Sequence, residues 1–273
     1  SAPARLHVVH DLGGGLARWV RDYCQADEAG VNLILMPYSS SHAMGEGLVL
    51  YAGKTMKPLA LWQFSTPIQT TVETHPEYRR VIEAIVRDYG VGAVLFSSLI
   101  GHALDSLDTG LPTVIVNHDY YPFCPAIQIY FGGVCQHCDS DRLAECAANN
   151  PDFNPPHRVF PVAERIRVRE RYLELVESNA IALVVPSRSV REHLERLAPR
   201  LGKAAFVTIP HGYPAGLSPM PHHGPAPGGK LRIVVLGMLS VSKGMRLLSE
   251  GLPKLLEFAE IHLVGAKEAG ELF

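Results

Sequence analysis

Short apolar runs alternate with segments of helical spacing along most of this chain, and this alternation restricts the fold more than any other feature. The runs cover residues 6–10, 31–37, 93–97, 113–117, 182–186, 206–209, 231–236 and 261–264. The segments with helical spacing lie at residues 15–26, 77–89, 101–108, 162–178, 189–198 and 244–258. Strands that alternate with helices are typical of a parallel sheet with helices on both faces. We therefore predict an α/β fold.

A segment rich in proline and glycine, residues 212–230, separates two blocks of this pattern. Such a segment cannot form a regular element, so we predict an interdomain linker there, with an N-terminal domain at residues 1–211. Residues 231–273 contain only a strand, a helix and a strand, which is too little to close a core. We expect this block to be the start of a larger domain.

The charge of the chain argues against a nucleic-acid partner. The formal net charge is −2, which leaves no general basic surface. Four arginines fall in residues 162–178, but glutamates alternate with them, as in a solvated, salt-bridged helix; they are Arg165, Arg167, Arg169 and Arg171. Contact with an anionic acceptor or with a membrane surface is the alternative for this helix.

With no signal peptide and no long apolar stretch, we expect a cytoplasmic protein.

A histidine and a carboxylate follow directly on the apolar run of residues 113–117. In an open α/β sheet, ligands bind in the crevice beyond the carboxyl ends of the strands. His118 and Asp119 therefore stand where a substrate can be reached. We predict a reactive site there, against the alternative of a histidine hydrogen-bonded at a strand end. Asp119 either orients His118 or caps the next turn.

Two loops are candidates for binding an anion. Gly13, Gly14 and Gly15 precede a helix, and without Cβ atoms their backbone N–H groups can approach a phosphate. The alternative is a tight turn, and the dinucleotide fingerprint is incomplete here. Lys243 and Gly244 begin the helix that follows residues 231–236. A lysine there opposes the helix dipole unless an anion binds nearby, so we predict a diphosphate contact rather than an ordinary surface lysine.

Four of the five cysteines fall within 23 residues, a clustering more typical of a local metal site than of a disulfide framework; they are Cys124, Cys135, Cys138 and Cys146. The spacing of Cys135 and Cys138 is that of a zinc knuckle, and the other two thiols complete a tetrahedral set. We predict a structural zinc ion in an irregular loop, with His137 and His157 as substitute ligands. Reduced thiols packed in the loop, an iron–sulfur cluster and a disulfide acquired in handling remain alternatives. Cys24, the fifth cysteine, is predicted to be a core residue of the first helix.

These motifs, in their order along the chain, resemble those of the family 4 retaining glycosyltransferases. The resemblance covers the glycine loop at residues 13–15, the His118 and Asp119 position, residues 185–187 and 209–212, and the loop of residues 236–244. It implies the GT-B architecture, in which two Rossmann-like domains face each other across a cleft. Residues 1–211 would form the acceptor-side domain, with a cysteine-containing insertion at about 120–157. Residues 231–273 would begin the nucleotide-sugar-binding domain.

The resemblance also implies an activity. A sugar would pass from a nucleotide-sugar donor to a hydroxyl of a saccharide or a lipid-linked acceptor, with retention at the anomeric carbon, in polysaccharide or glycoconjugate biosynthesis. Lys243 and its helix would stabilise the departing diphosphate. His118 would contact the donor sugar or orient the reacting groups.

The chain departs from the family pattern at two points. Met238 stands where the family's donor loop usually has an arginine, and the family's pair of glutamates has no counterpart before Phe273. We expect the natural chain to continue and to supply them. The alternatives are a non-catalytic, metal-stabilised GT-B-like binding domain and a different GT-B enzyme, such as a nucleotide-sugar epimerase or a phosphorylase.

Overall fold

A computed structural model of the chain describes residues 3–10, 12, 15–40, 45–155, 161–212, 229–237, 239 and 243–265. The chain divides into two compact units, Ser1–His211 and Gly212–Phe273. The first unit contains an eight-stranded sheet with helices, and the second contains two strands and a helix.

The strands of the first unit are β1 Ala4–Val8, β2 Asn32–Tyr38, β3 Gly47–Ala52, β4 Pro58–Gln63, β5 Val91–Phe96, β6 Thr113–Val116, β7 Ala182–Val185 and β8 Ala205–Thr208. Its helices are α1 Gly15–Ala26, α2 Pro76–Tyr89, α3 Ser140–Asn149, α4 Val162–Ser178 and α5 Arg188–Leu197. Two short 3-10 helices lie at Leu104–Leu107 and Pro199–Lys203. The second unit contains β9 Leu231–Leu236, α6 Met245–Phe258 and β10 Ala259–Val264.

The strand order of the large sheet is β4-β3-β2-β1-β5-β6-β7-β8. β1 pairs in parallel with both β2 and β5, and β5 to β8 continue the parallel arrangement. The predicted α/β fold is therefore confirmed, and the predicted parallel pairing is confirmed for β1, β2 and β5 to β8. The strand order changes direction between β1 and β5, and such a switch point opens a crevice at the carboxyl ends of the strands.

One edge of the sheet is antiparallel, which the sequence patterns did not predict. β3 pairs in antiparallel register with β2 and with β4. Only five residues connect β3 to β4, residues 53–57, and so short a connection allows a hairpin but not a parallel crossover.

The core lies on both faces of the sheet because successive side chains of a strand point to opposite faces. On β2, Leu33 and Leu35 join the main hydrophobic cluster, to which α2, α4 and α5 contribute. Ile34 and Met36 join a second cluster, to which α1 contributes. Cys24 is fully buried in that second cluster, which confirms its predicted place in the core.

Local sequence determines both ends of α2. The side chain of His75 accepts a hydrogen bond from the backbone N–H of Tyr78, and Pro76 occupies the first turn, where its missing N–H is not needed. Gly90 ends the helix with a φ of 61°, a left-handed conformation that glycine adopts without strain. β5 begins directly after it.

The prediction of a solvated, salt-bridged helix is wrong for two arginines of α4. Arg167 pairs with Glu73 at the surface. Arg165 and Arg169, however, are 2% and 5% exposed. They lie four residues apart and therefore on one face of the helix, together with the buried side chain of Val168.

Two further predictions about elements need correction. Residues 101–108 were expected to be helical, but only Leu104–Leu107 form a short 3-10 helix. The cysteine-rich segment was expected to be irregular, but it contains α3, with Cys146 inside it. The carboxylate of Asp139 caps this helix by accepting a hydrogen bond from the backbone N–H of Arg142.

In the second unit, β9 and β10 pair in parallel. Ala259 is the one buried hydrophobic residue among the described residues of this unit. Across the described parts of both units, no helix has the length and apolar content needed to cross a bilayer.

Candidate functional site

Polar residues follow the ends of β5 and β6, two neighbouring parallel strands beside the switch point. Ser97 comes directly after β5, and His118 and Asp119 come two and three residues after β6. These residues line a cavity of about 20 Å³, which we name the edge cavity. Its lining includes Phe96, Ser97, Asn117, His118, Asp119 and Tyr172. His118 and Asp119 thus lie at the carboxyl edge of the sheet, as expected for residues that follow a parallel strand, and their part in a reaction stays a prediction.

Aromatic rings restrict the His118 side chain. The ring of Trp19 meets it edge-on with the centroids 4.9 Å apart, and the ring of His211 stacks on it at 5.6 Å with an interplanar angle of 4°. The Nε2 atom of His118 is buried and has no hydrogen-bond partner within the described structure. Burial, together with the nearby His211 and His10, lowers the pKa of His118 to about 4. The imidazole is therefore neutral at pH 7.

The carboxyl group of Asp119 accepts a hydrogen bond of 2.8 Å from the backbone N–H of Tyr121, so it caps the following turn. No hydrogen bond joins Asp119 to His118 in the described residues. Burial raises the pKa of Asp119 to about 6, although the bond from Tyr121 opposes this rise. The pKa of Asp119 thus lies much closer to neutral pH than that of an ordinary aspartate.

Ser97 is a member of the site that sequence reasoning missed. Its side chain is 4% exposed, and its Oγ atom has no hydrogen-bond partner in the part of the chain described. Its backbone N–H donates to the carbonyl of Val8 at 2.9 Å, which joins the ends of β1 and β5. The available signal was its position at the end of an apolar run, the same signal that identified His118.

A second buried histidine, His102, supports this edge of the sheet. One ring nitrogen of His102 lies 3.0 Å from the carbonyl of Val9, and the other lies 2.9 Å from the hydroxyl of Tyr78. Burial lowers the pKa of His102 to about 4. Because both ring nitrogens are used within the protein, the role of this residue is structural.

The candidate phosphate-binding residues are described in part. Gly13 and Gly14 lie outside the described residues, as does Met238. Gly15 is the first residue of α1, and a Cβ atom there would meet nothing within 4 Å. In the second unit, Gly244 precedes α6 with a φ of 85°, and Lys243 lies directly before it.

The four clustered cysteines line a second cavity of about 20 Å³, which we name the cysteine cavity. All four are free thiols. Burial raises the pKa of Cys135, and the other three thiols, Cys124, Cys138 and Cys146, add to that rise. All four predicted zinc ligands thus line one cavity of the insertion.

As their side chains stand, the described residues include no group of three or more histidines, cysteines or carboxylates arranged to hold a metal ion. Zinc therefore stays a prediction. Of the substitute ligands, His137 lines a separate, open surface pocket together with Cys135. His157 lies outside the described residues.

Comparison with known proteins assigns no relative to the chain. No protein-family model matches the sequence, and a search of curated proteins finds no significant match. Function is therefore inferred from the edge cavity and from the motifs of the sequence.

Proposed function

We propose that this chain contains the acceptor-side domain of a retaining glycosyltransferase of GT-B architecture. The enzyme would transfer a sugar from a nucleotide-sugar donor to a hydroxyl of a saccharide or lipid-linked acceptor. The observation that supports this proposal is the edge cavity, which lies beyond the carboxyl ends of β5 and β6 and is large enough to admit one hydroxyl group of a ligand. Two of the residues that line it, His118 and Ser97, each have a buried polar atom, Nε2 and Oγ, without a hydrogen-bond partner in the described structure.

Sugar hydroxyls match these two atoms. A hydroxyl both donates and accepts hydrogen bonds, as does the serine hydroxyl, and a neutral imidazole nitrogen does one or the other according to its tautomer. Because buried polar groups are rarely left unpaired, we expect a ligand hydroxyl or a water molecule at each of these two side chains. The low pKa of His118 keeps the ring neutral, which suits hydrogen bonding to a sugar rather than charge pairing.

Asp119 is suited to a proton-linked role beside His118. A carboxyl group with a pKa of about 6 is mostly ionised at pH 7 but accepts a proton more readily than an ordinary aspartate. In this proposal, Asp119 helps to orient the acceptor hydroxyl. The leaving diphosphate can itself take the proton of that hydroxyl.

The other predicted site residues have roles at the donor site in this proposal. Lys243 and Gly244, with the N-terminus of α6, would hold the diphosphate and stabilise the charge that develops as it leaves. The backbone N–H groups of Gly13, Gly14 and Gly15 would contact a phosphate or another anionic group before α1.

An activity assay tests the proposal. The protein expressed from its natural reading frame would be incubated with a panel of radiolabelled nucleotide sugars, with and without saccharide acceptors. We expect sugar transfer, or slow release of sugar to water when no acceptor is present. His118→Asn should lower turnover by roughly 100-fold or more with little change in melting temperature. His262→Asn, the same substitution at an exposed histidine of β10, should leave turnover unchanged.

Other outcomes favour the alternatives. Binding of a nucleotide sugar without transfer or hydrolysis would indicate a non-catalytic binding domain. Conversion of the donor into its epimer would indicate a nucleotide-sugar epimerase. A loss of melting temperature in His118→Asn as large as the loss of activity would indicate a structural histidine at a strand end.

A further inference from the structure

The cysteine cavity lies outside the edge cavity and has a wall that is otherwise mostly apolar. Its lining includes the side chains of Phe123, Ala126, Ile129, Leu143 and Leu197. A volume of about 20 Å³ is enough for a single water-sized occupant. A water molecule would find few good hydrogen-bond partners there, because thiols are weak donors and acceptors. A soft cation is a better occupant of a cavity surrounded by sulfur.

Hydrogen-bond donors already point at three of the four sulfur atoms. The backbone N–H of Ile129 donates to Cys124 Sγ at 3.4 Å, and the side-chain amide of Asn150 donates to Cys146 Sγ at 3.2 Å. The guanidinium of Arg169 donates to Cys138 Sγ at 3.4 Å. Such donors stabilise sulfur that carries negative charge, so they favour thiolates over neutral thiols.

Arg169 also has an unusual environment for a buried cation. Its other hydrogen bonds go to the backbone carbonyls of Pro122, Phe123 and Cys138. No carboxylate pairs with it among the residues that the structure describes. A buried charge without a counter-ion is costly, which suggests that Arg169 faces a negative charge in the native protein.

We propose that Cys124, Cys135, Cys138 and Cys146 bind one zinc ion as four thiolates, and that Arg169 is the counter-charge to this centre. Four thiolates and a divalent cation carry a net charge of −2, and the guanidinium beside Cys138 offsets half of it. The four thiol protons leave to the solvent when zinc binds. Because no preformed set of ligands exists as the side chains stand, binding requires thiols to rotate towards the cavity.

Four thiolates leave no open position on a tetrahedral ion, so the centre is structural. It closes the segment that directly follows Asp119. The same segment includes Tyr121, which lines the edge cavity and donates to Asp119. The zinc centre therefore supports one wall of the edge cavity, whatever reaction takes place there.

Metal content tests the four ligands. Protein purified under reducing conditions without added metal should contain roughly one zinc per chain. A chelator should remove it and lower the melting temperature, and zinc added back should restore both. Cobalt(II) in place of zinc should give the sulfur-to-metal absorption and the intense visible bands of a tetrahedral thiolate site. The variant Cys135→Ser with Cys138→Ser should lose the zinc, whereas Cys24→Ser, at the cysteine of α1, should keep it.

Metal affinity tests the counter-charge. Arg169→Met should weaken zinc binding by roughly tenfold or more in competition with a chromophoric chelator, and Arg169→Lys should recover part of the loss. Arg167→Met removes a neighbouring exposed arginine of α4 and should leave the affinity unchanged. Equal affinity in Arg169→Met would refute the counter-charge.

Three results would refute the zinc centre itself. They are metal-free native protein with all four thiols reactive, cobalt spectra without sulfur bands, and iron with the visible absorption of an iron–sulfur cluster. None of these depends on an assay for sugar transfer, so the zinc centre and the proposed enzymatic function are tested separately.

Discussion

At the edge cavity, the adjacent residues His118 and Asp119 have pKa values that are shifted in opposite directions: the pKa of His118 is lowered and that of Asp119 is raised. The pKa of Asp119 in the folded chain is about 6, against an ordinary value of 3.8. The folded protein therefore holds this proton more tightly than the unfolded chain does. The stability that this gives is fully present below about pH 3.8 and is lost as the pH rises through 6.

We therefore predict that Asp119→Asn stabilises the protein at neutral pH. The asparagine oxygen can still accept from the Tyr121 N–H, but no charge has to be buried. At pH 7.5 the free energy of unfolding should rise by about 1–3 kcal/mol, the range that a shift of this size allows. At pH 4 the variant and the wild type should be nearly equal. Urea denaturation at the two pH values measures the difference, and an equal gain at both would contradict the argument.

The Asp119→Asn variant is needed because the titration of His118 hides the effect of the Asp119 pKa shift on the stability of the wild type. The pKa of His118 is lowered from 6.5 to about 4, so its contribution to stability is present above pH 6.5 and is lost as the pH falls through 4. Between pH 4 and 6 the two contributions change in opposite directions. Such opposed titrations within one cavity are more common at functional sites than in ordinary cores.

At the residue scale, sequence located His118 and Asp119 because strand ends can be recognised from apolar runs. It could not identify the buried state of Arg165 and Arg169. Their guanidinium groups donate hydrogen bonds to carbonyls, hydroxyls and a sulfur atom of distant segments, such as Tyr121 and Cys138, and no local sequence pattern indicates such contacts.

At the scale of elements, the glycine that ends α2 allows a prediction about the free energy of unfolding. Gly90 has a φ of 61° with open space where a Cβ atom would stand, so only backbone strain opposes a side chain. Gly90→Ala should reduce the free energy of unfolding by about 1 kcal/mol. Gly90→Asn should cost less, since asparagine tolerates the left-handed region. Gly202→Ala, with equal space and no positive φ, is the control; an equal loss in both alanine variants would contradict this explanation.

The accuracy of the element predictions followed the strength of the hydrophobic pattern. α1 and α4 were predicted with their observed bounds, because several buried side chains recur at helical spacing in each. α3 was missed because Leu143 is its one buried residue, which leaves too little pattern to detect. The hairpin of β3 and β4 was missed because neither strand was recognised: no apolar run was predicted between residues 37 and 93, and the side chains of β4 are exposed or half-buried.

At the scale of the whole molecule, the first unit contains nearly all of the described core. Residues 1–211 expressed alone should therefore keep the main thermal unfolding transition, within a few degrees of that of the full chain. Differential scanning calorimetry and far-ultraviolet circular dichroism would measure this. Loss of the cooperative transition in the shortened chain would show that the second unit is required for the first to fold.

The general α/β fold was predictable at this scale because the alternation of strands and helices strongly restricts the possible topologies.

The contact between Trp19 and His118 has an optical consequence. The chain contains two tryptophans, and the other, Trp62, lies on β4. Replacing Trp62 with phenylalanine would leave one fluorophore, whose ring lies 4.9 Å from the ring of the candidate site histidine. Its emission would respond to a proton or a sugar arriving at that imidazole, so ligands could be screened by fluorescence before the donor or the acceptor is known.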